Sequence, residues 1–278
     1  MTAGVFAAVL GAALLHAGWN ALVKSGASKV GGITIMTLVQ GGAGGLIALS
    51  LPLPTGPVWG WLALSGAFHA GYKLFLAFAY EQGDLSRVYP IARGAAPMIV
   101  LLVSPLLLTD ILTPTEIVGI AILGAGIATM AAGSLRAREA RRLIPYALGS
   151  ALMTAGYTIV DGSGARVAAS ATQYVAWLFL LDVLIFTPII LALRGREVLR
   201  ADARAWGLGA LAALLSYAAY AVAVWAMTVA PIALVGALRE TSILFAVLIG
   251  WLILGERIDR WKAVAAILIV GGVALTRL

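Results

Sequence analysis

Apolar residues fall in long blocks along this chain, without the strict alternation of a half-buried strand. A helix crossing a bilayer needs about 20 mostly apolar residues. Ten blocks are of about that length: 3–23, 31–51, 58–80, 86–108, 114–133, 144–163, 171–193, 206–228, 231–253 and 260–276. Pro114 and Pro145 sit at first-turn positions, where a missing N–H costs nothing. Pro52, Pro54, Gly56 and Pro57 mark a connecting loop. The pattern predicts an all-α membrane protein of ten transmembrane helices. No basic region precedes the first block, so 3–23 reads as a retained helix and not a cleaved leader.

The blocks repeat. LSRVYPIARGAAPMIVLLVSPLLLTD, ending at Asp110, overlays PIALVGALRETSILFAVLIGWLILGE, ending at Glu256, at an offset of 146 residues. Arg93 then falls on Arg239 and Asp110 on Glu256. LLHAGWNALVKSGA at 14–27 overlays LMTAGYTIVDGSGA at 152–165 at an offset of 138, and the eight extra residues belong in the loop 194–204. The chain divides into a first repeat at 1–133, a basic linker at 134–143 and a second repeat at 144–278. With five helices each, the second enters the membrane from the opposite side. Inverted repeats of this kind surround a central cavity near the midplane and work by alternating access.

Composition agrees. The chain of 278 residues is 62% hydrophobic and 11% charged, with a mean hydropathy of +1.01, against about 45–50% and 25% for soluble domains. The net charge of +7 would suggest nucleic acid in a soluble protein. Here the basic residues lie in short loops and set orientation, so no nucleic-acid partner is expected. Fourteen lysines and arginines fall on the side reached after the first span and two, Arg166 and Arg277, on the other. The positive-inside rule puts the first side in the cytoplasm and both termini outside. There is no cysteine, no HExxH, no G-x-S-x-G and no P-loop. No metal, cofactor or ATPase activity is expected.

Charged side chains inside spans are costly and mark function by default. Arg93 and Arg239 each sit in an apolar block, and a guanidinium binds carboxylate bidentately and stays charged when desolvated. The bland reading is a structural ion pair, with Arg239 adjoining Glu240 and Arg93 meeting Asp182. The first span carries His16, Trp19, Asn20 and Lys24; the sixth carries Thr154, Tyr157, Thr158 and Asp161. Lys24 is expected to reach its interface, and for Asp161 that role stands beside a place on the inward stripe of the sixth span. His16 is a candidate proton carrier, although a satisfied interhelical partner is the commoner role. The third span carries His69, Tyr72 and Lys73, and Lys73 is too deep to snorkel easily, so it needs a cavity role or a partner such as Glu81. Tyr217 and Tyr220 suggest an aromatic wall, and Trp225 an interfacial anchor. Pro90, Pro97 and Pro105 each remove a helical hydrogen bond and make the fourth span a candidate gate, with packing kinks as the alternative. Gly119, Gly124, Gly126, Gly271 and Gly272 suit tight packing or a homodimer face, leaving a monomer or a homodimer open.

The HAGWN stretch at 16–20, the apolar helix ending in LGE at 254–256 before a Gly-rich last helix, and the 5+5 duplication resemble the drug/metabolite transporter superfamily, in its ten-helix form with two EamA domains. The resemblance covers nearly the whole chain. It departs at 108–110, where the first copy reads LTD and keeps the carboxylate. That family mostly places both termini in the cytoplasm, against the charge count of this chain, and the count is followed here. The resemblance implies a carrier in a bacterial inner membrane, with a cavity bordered by the first helix. Members export amino acids, drugs, polyamines and other metabolites, or import sugars and choline.

The residues then favour a secondary transporter or facilitator for a small organic metabolite, above all an amino acid exporter, aromatic ones included. The substrate-binding set is Arg93, Arg239, Trp19, Asn20, His16, Lys73, Tyr72, Tyr157, Thr158, Tyr217, Tyr220 and Glu240. The alternatives are a cation or drug exporter with proton exchange, using Asp161, Asp182 and Glu240, an intramembrane lipid-handling enzyme, and a non-transporting scaffold. The first span holds no acidic residue for the carboxylate-centred antiport of small multidrug pumps.

Overall fold

The computed structural model describes residues 1–25, 28–82, 93, 95–135, 142–252 and 258–278. Pro90, Glu256 and most of the basic linker lie outside them, as do the side chains of Lys24 and Glu81. The described chain is helical: α1 (Ala3–Ser25), α2 (Lys29–Ala48), α3 (Gly56–Gln82), α4 (Ala96–Leu107), α5 (Pro114–Leu135), α6 (Ile144–Val167), α7 (Ala171–Arg194), a 3₁₀ turn (Arg196–Leu199), α8 (Ala203–Val229), α9 (Ile232–Arg239), α10 (Ser242–Leu252) and α11 (Arg260–Leu275).

Local chemistry fixes the ends. Ser28 caps α2 by accepting from the Gly31 N–H at 3.0 Å, Ser170 caps α7 through Gln173 at 3.1 Å, and Asp202 caps α8 through Ala205 at 2.7 Å. Asp259 holds the first two N–H groups of α11. Each such cap stabilises its helix by about 1 kcal/mol. α7 stops at Gly195, whose φ of 69° is left-handed backbone that favours glycine.

Packing follows a pseudo-twofold axis. α1 lies on α8 as α6 lies on α3, and α3 meets α7 as α8 meets α2. The self-related pairs α2–α7 and α5–α11 each join one repeat to the other. Their close approach requires glycine: a Cβ on Gly44 would lie 2.7 Å from the Ala176 carbonyl, and one on Gly272 2.6 Å from the Gly119 carbonyl. Gly119, Gly126 and Gly272 therefore pack inside the chain, whereas Gly271 meets nothing within 4 Å. Leu102, Leu106, Leu184 and Ile267 point outward, as residues facing lipid do.

Seven segments of the described chain are long and apolar enough to cross a membrane by themselves. α6 is not among them, because its inward face carries Thr154, Tyr157, Thr158 and Asp161, all buried.

Two expectations change. The ninth span is not one helix. The Glu240 and Thr241 N–H groups bond three residues back, to Ala237 and Leu238, and the helix resumes at Ser242. Arg239 through Ser242 are all buried, the condition under which irregular backbone is tolerated at membrane depth. Pro97 opens α4 in its first turn, where no helical hydrogen bond is lost. Only Pro105 lies inside the described helix, and it is exposed.

Candidate functional site

The break in the ninth span places two opposite charges side by side, and they take different partners. Arg93 Nε and Nη2 donate to the two carboxylate oxygens of Glu240 at 2.9 and 2.8 Å, a bidentate pair between the repeats. Arg239 does not use its neighbour Glu240. Its guanidinium donates to the Tyr157 hydroxyl at 3.3 Å and lies over the Tyr157 and Tyr220 rings, 5.8 and 5.3 Å from their centroids. Arg239 is 4% exposed, and Nη1 has no hydrogen-bond partner among the described residues. A buried guanidinium without a carboxylate is uncommon, because desolvation is then offset by neutral groups alone.

A second layer lies beneath the tyrosines. His69 stacks on Tyr157 with ring centroids 4.2 Å apart, and its Nε2 is 2.9 Å from Asp161 Oδ2. Tyr220 donates its hydroxyl to the same oxygen, and Tyr174 donates to Oδ1 at 3.1 Å. Asp161 is fully buried and does not reach an interface. Lys73, one turn beyond His69 on α3, pairs with Asp182 of α7 and lies 5.5 Å from the Phe186 ring centroid. Asp182 therefore serves Lys73 and not Arg93, and the expected Glu81 partner lies outside the described side chains.

The remaining predicted residues surround this core unevenly. Tyr72 meets Tyr157 edge-on at 5.6 Å. His16 contacts Trp19 edge-on at 5.0 Å and sits within range of the Arg93 and Arg239 charges. His16 Nε2, Trp19 Nε1 and the Tyr217 hydroxyl are buried without partners among the described residues. Asn20 donates back to the His16 carbonyl at 2.8 Å, and Thr158 to the Thr154 carbonyl at 2.7 Å, so both polar groups are occupied within their own helices. Tyr217 packs on Phe179, and Trp225 is exposed.

A separate pocket of about 300 Å³ lies where the last turn of α1 meets α2, the 3₁₀ turn and α8, lined by Val23, Gly31, Ile35, Val198 and Leu208 among others. None of the predicted binding residues lines it. No cluster of metal-ligand side chains occurs among the described residues.

Sequence reasoning underrated Asp161, Asp182 and Tyr174. The repeat offset contained one signal. It pairs Trp19 with Tyr157 and Val23 with Asp161, so the second copy carries a carboxylate where the first is apolar.

Residues 141–278 match the model of the EamA-like transporter family. Nothing among the curated proteins matches the chain. One solved crystal structure, 23% identical, superposes with a TM-score of 0.75 over 100% of this chain and 99% of that one. That likeness concerns the fold.

Proposed function

Through residues 141–278 the chain belongs to the EamA-like transporter family, and from that premise we propose that it carries a small organic solute bearing a carboxylate, above all amino acids and aromatic ones among them, outward by alternating access. The observation that supports this reading is Arg239. Of the two buried guanidinium groups among the described residues, Arg93 is bound by Glu240, while Arg239 hydrogen-bonds only to tyrosine. A substrate carboxylate would give it the two-point partner it lacks. Trp19, His16 and Tyr217 bring buried polar atoms without partners among the described residues to the same bundle, and aromatic faces suit an apolar side chain.

The rival cation exporter needs open carboxylates. Asp182 is taken by Lys73, Glu240 by Arg93, and Asp161 by three donors. Cation binding would have to break one of these.

The loop charges support a cytoplasmic basic side and outside termini in a bacterial inner membrane. A C-terminal reporter active only in the cytoplasm would reverse that orientation. For the substrate, a thermal-shift screen of the purified protein against amino acids, choline, polyamines and cationic dyes is decisive. A ligand that binds only the folded state raises its stability. Stabilisation by carboxylate-bearing amino acids, lost in Arg239→Ala, is expected. Stabilisation by cations alone would overturn the reading.

A further inference from the structure

The buried charges among the described residues balance in a particular way. Arg93 with Glu240, and Lys73 with Asp182, are two neutral pairs. Arg239 and Asp161 are left over. They are not in contact. Two tyrosines connect them: Tyr157 accepts from Arg239 and stacks on His69, while Tyr220 lies under Arg239 and donates to Asp161. With a neutral His69 the cluster is therefore neutral overall. In a low-dielectric interior each unbalanced charge is expensive, so an added charge at one end is best offset at the other.

His69 is built to supply the offset. Its Nε2 faces Asp161 Oδ2 at 2.9 Å and the Tyr220 hydroxyl at 3.3 Å. Since Tyr220 already donates to Asp161, the geometry assigns the ring proton to Nε2, donated to the carboxylate. Nδ1 has no hydrogen-bond partner among the described residues and can accept a second proton without breaking any contact. One other imidazole lies nearby, His16 of α1, but its charged neighbours are the Arg93 and Arg239 cations, whereas His69 faces a carboxylate. On α3, Lys73 is engaged by Asp182 of α7. From α6 come Tyr157 and Asp161, from α7 Tyr174, and from α8 Tyr220 with Tyr217 farther along. α2 brings no titratable side chain between Val30 and Ala48. Arg239, from α9, is the nearest unmatched charge.

We propose that His69 and Asp161 form a proton site linked to Arg239, so that a monoanionic carboxylate bound at Arg239 enters together with one proton taken from water onto His69 Nδ1. This rests on the carboxylate reading above. The linkage is reciprocal: uptake of one proton makes binding of the anion about tenfold tighter for each unit the pH falls, over the range in which the ring is neutral in the empty protein and protonated in the complex. A zwitterion brings its own ammonium, leaves the balance unchanged and enters without a proton.

The proton can be read directly, because the chain has two histidines. In ¹⁵N-histidine NMR of the full-length protein, with His16→Asn for assignment, the charge of the ligand-free wild-type His69 ring is followed as the pH is lowered. Arg239→Gln removes the unmatched cation and mimics an added anion. Its His69 ring is expected to be protonated at a pH where the wild-type ring is neutral. No change in that variant overturns the proposal, whatever the protein binds. Should Arg239→Gln not fold, the wild-type protein decides by calorimetry in buffers of different ionisation enthalpy. N-acetyl-phenylalanine should bind with uptake of about one proton, phenylalanine with none, and His69→Gln should bind the first probe with none. Equal uptake for both probes, or uptake retained in His69→Gln, overturns the linkage. Failure of both probes to bind overturns the carboxylate reading instead, and the ligand-free titration still decides the proton site.

Discussion

Arg166 and Asp110 are joined by two hydrogen bonds, 2.7 and 3.1 Å, at the bundle end where α4 and α6 finish. The same guanidinium donates to the carbonyls of Met227 and Ala230 at 2.8 and 3.0 Å, and the same carboxylate accepts from the Ile232 N–H at 2.8 Å. One ion pair thus fastens the last turn of α8 and the start of α9 to the first repeat. Its Asp110 is the residue that departs from LGE.

Loosening that clasp should open this face. Asp110→Asn keeps the shape but halves the acceptor strength toward Arg166. Ala230 is buried, and the chain has no native cysteine. A single Ala230→Cys should react slowly with a polar thiol reagent in the parent and faster, by about tenfold or more, in Asp110→Asn. Tenfold corresponds to about 1.4 kcal/mol, a reasonable share of a partly buried charged network. Equal rates would show that the clasp does not hold this end shut.

Arg239→Ala should fold and should lose carboxylate transport. A hydrogen bond to a charged group contributes about 1.5–3 kcal/mol, so binding should weaken by about 10- to 100-fold. Flux into vesicles containing only this protein measures it, with the melting temperature as control. Unchanged flux would exclude Arg239 from the site.

Arg93→Ala should behave differently, because it leaves Glu240 charged and buried. Removing one partner of a buried pair costs about 3–5 kcal/mol. The variant should melt at lower temperature, and Arg93→Met combined with Glu240→Leu should recover most of the loss. A double variant no more stable than the single one would mean that Arg93 stabilises the bundle through something other than Glu240.

Gly272→Val should destabilise the α5–α11 contact by roughly 1–3 kcal/mol, since its Cβ would meet backbone on α5 and not a movable side chain. Gly271→Val, one residue away with open space around it, should be nearly neutral. Similar losses in both would place the packing face elsewhere.

The fold was legible in the sequence because bilayer solvation acts on composition alone. A segment of about 20 apolar residues declares itself without reference to its partners, and an offset of 146 residues shows the duplication. The inward faces of α1, α3 and α6 were legible for the same reason: a polar residue in an apolar block must turn away from lipid. Arg93, Arg239, Tyr157 and Tyr220 were found on that ground. What the sequence could not supply was pairing. Arg239 adjoins Glu240 in the chain, yet adjacent helical residues point apart, and only the break after α9 and the approach of residue 93 settle that Glu240 serves Arg93. For Asp161 the sequence left an interface role open beside an inward one, because its distance from the end of the sixth block is short. The bundle buries it by bringing His69, Tyr174 and Tyr220 from three other helices. Solvation chose which residues turn inward, a property of each helix by itself. Which charge is neutralised by a carboxylate, and which is left to neutral partners, depends on distances between helices that no local pattern encodes.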